Sequence, residues 1–208
     1  MSFLSTEFIA FSLLGYPISF IELTATLFGF LSVFLAIREN IYTWPTGILN
    51  EIGLFILFFQ VQLYADMFLQ CVFFLFTIYG WTLWNTRKRV LTVTKIGIIK
   101  LLQLLAFIVL LSLLLSLLIS QLHVWAPSYF IHPAAHPFID SLVSLLSITA
   151  LLLLSFKIPE SWILWIIVDL LSIGLFATQE IYLITAQYCI FLMMASIGFF
   201  RWRKSHVQ

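Results

Sequence analysis

The sequence predicts an all-α membrane protein whose seven transmembrane helices form a 3+1+3 parallel repeat. Three observations predict it. Of 208 residues, 62% are hydrophobic and 9% charged, against roughly 25% charged in a soluble domain. Apolar runs long enough to cross a bilayer, about 20 residues of helix, occur at 20–37, 44–61, 64–84, 97–120, 138–156, 161–178 and 182–202. Shifted against itself by 118 positions, the chain lays its first three runs on its last three without a gap. Barrel strands would alternate in short segments, whereas Leu101–Leu118 is almost unbroken aliphatic sequence.

Taken in order, residues 1–19 form an external N-terminal segment. The apolar run at 3–15 is too short to span, which predicts an interfacial helix or a loose segment. It has no Lys or Arg ahead of it and no small-residue cleavage site, so no cleaved signal peptide is expected. Residues 20–84 make the first three-helix unit, 85–120 a basic connection and linking helix 4, 121–137 an external loop, 138–202 the second unit and 203–208 a tail. Glu22 and Asp140 stand at the starts of spans 1 and 5, where a carboxylate favours the helix dipole. The loop QLHVWAPSYFIHPAAHP carries His123, His132 and His136. Pro133 disfavours a helix through His132, so an aromatic-rich structured loop is expected rather than a metal site.

All ten Lys and Arg residues follow odd-numbered spans: Arg38; Arg87, Lys88, Arg89, Lys95 and Lys100; Lys157; Arg201, Arg203 and Lys204. The positive-inside rule then puts the N-terminus outside and the C-terminus in the cytoplasm. The basic cluster after span 3 is read as this topology signal and not as a nucleic-acid site. Cys71 and Cys189 lie within spans, where a thiol behaves as a small apolar side chain, and no disulfide framework is expected.

The register of the repeat rests on its rarer residues. Phe20-Ile21-Glu22 meets Phe138-Ile139-Asp140, Trp44 meets Trp162, Glu51 meets Asp169, Tyr64 meets Tyr182, Cys71 meets Cys189, Gly80 meets Gly198, and Trp84 meets Trp202. Chance aligns Leu, Ile and Phe in so apolar a chain, but not these. Two three-span units with an odd span between them run in the same direction. By analogy with SWEET-type proteins, that plan puts a substrate path between the units near the bilayer midplane.

Span 6 places Trp162, Trp165 and Asp169 at i, i+3 and i+7, on one helix face. Span 2 echoes it with Trp44, Ile48 and Glu51. A carboxylate this deep, roughly 10 Å beyond Trp162, costs about 2.5–3.5 kcal/mol on insertion scales if ionised. No Lys or Arg lies at matching depth. Each acid is therefore either protonated and hydrogen-bonded between helices, or met by a cation from outside, for which Trp162 and Trp165 offer ring faces. Asn50, Gln60, Gln62, Tyr64, Gln70, Thr77, Gln179, Tyr182 and Tyr188 add amides, a hydroxyl and phenols that can bond a ribose or a carboxamide, or tie helices together.

No phosphate loop, metal motif or nucleophile elbow is present, so neither an enzyme nor a cofactor is expected. The blocks FFQVQLYA, Gln70, IYGW at 78–81 and Trp84, followed by SWILWIIVD, Gln179 and Tyr182, resemble the PnuC family of bacterial nicotinamide riboside transporters. The resemblance runs from about residue 20 to 202. It implies a SWEET-like homotrimer in the inner membrane and facilitated uptake of an unphosphorylated vitamin precursor, which a cytoplasmic kinase then traps. It also implies a path lined by Asn50, Gln60, Gln70, Trp162, Trp165, Gln179, Tyr182 and Tyr188. The family pattern has an apolar residue at Glu51 and Asn at Asp169. These two extra acids leave thiamine, also cationic, as an alternative substrate. Proton coupling through the acids and a ligand-sensing protein that moves nothing stay open beside it.

Overall fold

Residues 5, 8–13, 15–60, 64–86, 96–125, 136–178 and 182–204 are described by a computed structural model, with backbone alone at 13, 64–66, 122, 123, 182 and 183. Among them the chain forms a short hairpin and seven helices: β1 (Ile9–Leu13), β2 (Tyr16–Ser19), α1 (Phe20–Ile37), α2 (Thr43–Gln60), α3 (Tyr64–Thr86), α4 (Ile98–Trp125), α5 (Pro137–Ser155), α6 (Ser161–Thr178) and α7 (Tyr182–Lys204). Six helices are long and apolar enough to cross a membrane. By length and composition the chain is a multi-pass membrane protein. α2 matches α1 in length but is less apolar, because it carries Thr43, Thr46, Asn50, Glu51 and Gln60.

Two expectations are corrected. The N-terminal segment carries strands at 9–13 and 16–19 in place of an interfacial helix or loose segment, because β1 and β2 pair antiparallel, with Leu13 opposite Tyr16. Gly15, at φ +86°, supplies the left-handed residue of the turn. The linking helix ends later than residue 120, the expected stop, because α4 runs on to Trp125. Its apolar run fades near residue 120, but nothing in QLHVW breaks a helix until Pro127, which disfavours helical geometry at Ala126.

Helix starts follow local chemistry. Ser19 caps α1, its Oγ accepting from the Glu22 amide at 3.3 Å, with Glu22 in the first turn. Pro137 opens α5, where a missing amide hydrogen costs nothing.

The first three helices pack in sequence, α1 on α2 and α2 on α3, and the last three do likewise, α5 on α6 and α6 on α7. The two sets meet through α1 against α7 and α3 against α5, while α4 packs on α5. One apolar cluster, with Leu101 and Ile108 of α4, Leu146 and Ala150 of α5 and Leu164 and Val168 of α6, joins the linking helix to the second set. The other face of α4 exposes Leu102, Phe107, Leu110, Leu114 and Leu117, as a lipid-facing surface would.

The turns after α1 and α5 are built alike. Asn40 donates its amide to the Leu35 carbonyl and Glu39 to that of Ala36; 118 residues on, Ile158 donates to Leu153 and Lys157 to Leu154. Both are Schellman closures, and their left-handed residues are Glu39 (φ 52°) and Lys157 (φ 55°) instead of the usual glycine. The helices that follow start with the same bonds, Thr43 to Asn40 and Ser161 to Ile158.

Candidate functional site

Four indoles pack where the two sets of helices meet. Trp44 and Trp84 touch edge to face, with centroids 5.3 Å apart. Trp162 and Trp202 do the same at 5.6 Å, and Trp84 lies 6.4 Å from Trp202. All four are nearly fully buried, with Ala36, Ile37, Leu154 and Ala195 around them. Glycine makes the packing possible. A Cβ on Gly198 would lie 2.7 Å from the Trp162 ring, and one on Gly80 would overlap Trp44. The Trp84 indole donates to the Ser155 carbonyl at 3.0 Å and the Trp202 indole to that of Ala36 at 3.1 Å. Trp44 and Trp162 present buried N–H groups with no partner among the described residues, a cost of about 1–3 kcal/mol each.

The two buried acids have different surroundings. Glu51, 7% exposed, accepts from the Thr77 hydroxyl at 2.5 Å through Oε1, while Oε2 is buried without a described partner. It lines a cavity of about 320 Å³ between α2 and α3 with Ile52, Phe55, Gln70, Cys71, Phe74 and Leu75. Asp169, 4% exposed, makes no side-chain hydrogen bond to a described residue. Position 195, which is 118 beyond Thr77, holds Ala, so α7 offers no hydroxyl at the corresponding place. A similar asymmetry affects the helix starts. Thr43 and Ser32 exchange bonds, with Ser32 Oγ donating to the Thr43 carbonyl at 2.8 Å and Thr43 Oγ1 to that of Ser32 at 2.9 Å. Ser161 faces no such serine, because position 150 is Ala, and its hydroxyl is buried without a described partner.

The expected site residues are dispersed over the bundle. Glu51 and Gln70 share the cavity. Trp162 lies inside the indole cluster, with its faces occupied by packing; Trp165 is half-buried, against both apolar clusters. Asn50 donates Nδ2 to the Ala25 carbonyl at 2.8 Å, which ties α2 to α1. Tyr188 stacks on Phe176, with centroids 5.6 Å apart, and Gln60 is exposed at the end of α2. Gln179 lies outside the described residues, as do His132, the side chains of Tyr182, Tyr64 and His123, and the basic residues 87–95. Cys71 and Cys189 are free thiols, Cys71 half-buried and Cys189 exposed.

Residue-type reasoning missed one contact altogether. Lys157 Nζ lies 3.0 Å from Glu39 Oε2 and 4.8 Å from the Trp84 ring centroid. The 118-residue register held the signal, since it aligns these two opposite charges with each other.

Comparison with known proteins bears on this arrangement. The sequence profile of a family described as nicotinamide mononucleotide transporter matches residues 19–204. The chain is 32% identical to the nicotinamide riboside transporter PnuC of Escherichia coli (strain K12) over 210 aligned positions, covering 92% of this chain and 88% of the relative, and equally to that of Shigella flexneri. The crystal structure described as the vitamin B3 transporter PnuC matches in fold, with a TM-score of 0.64 at 20% identity, over 89% of this chain and 81% of that one.

Proposed function

The chain belongs to the nicotinamide mononucleotide transporter family, and from that membership and its buried acids we propose that it takes up nicotinamide riboside across the bacterial inner membrane. The observation that carries this reading is the contrast between Glu51, held by Thr77, and Asp169, buried without a described partner. No Lys or Arg lies in the interior of a span, since those in helices stand at Lys100 and at Arg201, Arg203 and Lys204. A carboxylate so placed is stabilised by a cation from outside the chain. The pyridinium of nicotinamide riboside supplies one. A mononucleotide would bring a phosphate into a site with two acids and no base, which disfavours the phosphorylated form.

In this reading Asp169 supplies the counter-charge and Glu51 a neighbouring acid. Trp165, and Trp162 once the indole cluster loosens, offer ring faces to the cation. Asn50, Gln60, Gln70, Gln179, Tyr182 and Tyr188 bond the ribose and carboxamide. The two helix sets act as parallel repeat units about linking helix α4, as in SWEET-type proteins, and rock about the site. The matched turns and the Trp44–Trp84 and Trp162–Trp202 pairs support that plan. Movement is by facilitated diffusion, with trapping by a cytoplasmic kinase, in a homotrimer. The basic last turn of α7, with Arg201, Arg203 and Lys204, supports a cytoplasmic C-terminus.

The same two acids favour a second substrate, thiamine, whose thiazolium is cationic and whose aminopyrimidine can bond a carboxyl group. Titration calorimetry of purified protein with both compounds, followed by counterflow in proteoliposomes, tests the reading. Tight binding and exchange of the riboside support it. Binding of thiamine alone overturns the substrate, and binding without exchange overturns transport in favour of a ligand sensor. Exchange that needs a proton gradient would replace facilitated diffusion with coupling.

A further inference from the structure

At the end of the bundle that carries Arg38 and Arg201, three side-chain bonds join the first helix set to the second. Trp202 of α7 donates to Ala36 of α1, Trp84 of α3 donates to Ser155 of α5, and Lys157 of the α5–α6 turn pairs with Glu39 of the α1–α2 turn. The ion pair has an unusual origin. Glu39 and Lys157 are the left-handed residues of two turns closed by the same bonds 118 residues apart. A residue near a two-fold axis faces its own counterpart; identical charges there would repel, and this chain has one of each sign. Lys157 also lies over Trp84, so the pair rests directly on the indole cluster.

We propose that Glu39 and Lys157 form a latch that closes the substrate path at its cytoplasmic end, holding the two helix sets together above the four indoles until the site is loaded. The proposal rests on the transport reading above. Side-chain exposures of 27% for Glu39 and 20% for Lys157 put the pair in partial contact with water. An ion pair so hydrated separates at small cost, as a contact broken in every cycle must. The bonds beneath it suit opening as well. Each indole N–H that crosses between the sets ends on a carbonyl at the last turn of a helix, where water can replace it. Trp44 and Trp162, whose buried N–H groups lack described partners, gain hydrogen bonds once water enters.

The test uses full-length protein in which Cys71 and Cys189 are replaced by Ser and Val33, which packs against the indole cluster, is replaced by Cys. In inside-out vesicles, Glu39→Gln and Lys157→Gln should each raise the rate at which a membrane-impermeant thiol reagent modifies position 33, by about fivefold or more. The charge swap Glu39→Lys with Lys157→Glu should return it to the parent rate. Unchanged rates in both single variants would overturn the latch. In a second experiment, Glu39→Cys and Lys157→Cys, with Val33 retained, are bridged by a short cleavable thiol cross-linker. Riboside counterflow should stop while calorimetric binding persists, and should resume on cleavage; exchange at the parent rate in the bridged protein would also overturn the latch. If the parent protein exchanges no riboside while the labelling pattern holds, the riboside-transport reading fails, and the latch is supported only as a contact that closes this end of the bundle.

Discussion

Thr77 donates its hydroxyl hydrogen to Glu51 Oε1, and this one bond connects α3 to the single acid of α2. Thr77→Val keeps the shape and removes the donor. With Oε2 already lacking a described partner, Glu51 would then lose its remaining described bond, at a cost of about 1–3 kcal/mol. Thermal unfolding of the detergent-solubilised variant should show a clear fall in midpoint, and Thr77→Ser should restore most of it. A Val variant as stable as the parent would mean that Glu51 does not depend on this hydroxyl.

Asp169 has no such donor, so its replacement should act on ligand more than on fold. Asp169→Asn is predicted to weaken riboside binding by about tenfold to a hundredfold, the range expected when a hydrogen-bonded charge partner worth about 1.5–3 kcal/mol is lost. Glu51→Gln should cost no more than a few-fold. Calorimetry on both variants decides the matter: equal losses, or none at Asp169, would remove Asp169 from its place as counter-charge.

Much of the fold was legible because lipid imposes a coarse code. Runs of apolar residues must become helices, and the observed bounds fall within a few residues of those runs, except where α4 continues through the polar residues Gln121 and His123. The hairpin was not legible, because IAFSL and YPIS carry no clean alternation and pair through an irregular register between Ile9 and Phe11. The acids stood out at once, since a carboxylate in an apolar run is conspicuous. Whether each had a partner was not legible. The difference lies in Thr77 against Ala195, two small residues on other helices. The meeting of Glu39 with Lys157 was hidden for the same reason, since a pairing across 118 residues leaves no local trace. Trp162 shows the limit in the other direction. Its spacing to Asp169 suggested an open ring face, and tertiary packing filled that face with Trp202 and the backbone of Gly198.

The indole packing gives the sharpest test of the fold. A methyl group on Gly198 would lie 2.7 Å from three atoms of the Trp162 ring, closer than van der Waals contact allows, and that ring already packs edge to face with Trp202. Gly198→Ala is therefore predicted to destabilise the protein by about 1–3 kcal/mol, the usual cost of overpacking a filled core. Gly80→Ala should do the same through Trp44. Gly174 provides the control on a neighbouring helix, since a Cβ there meets nothing within 4 Å; Gly174→Ala should be neutral or slightly stabilising, because Ala is the better helix former. Trp162→Phe should partly rescue Gly198→Ala by shrinking the wedged ring, whereas it should leave Gly80→Ala unimproved. Unfolding midpoints for the set would separate a specific indole wedge from a general intolerance of substitution. If Gly174→Ala were as harmful as Gly198→Ala, or if the rescue did not discriminate between the two sites, the wedge would not be what makes glycine necessary there.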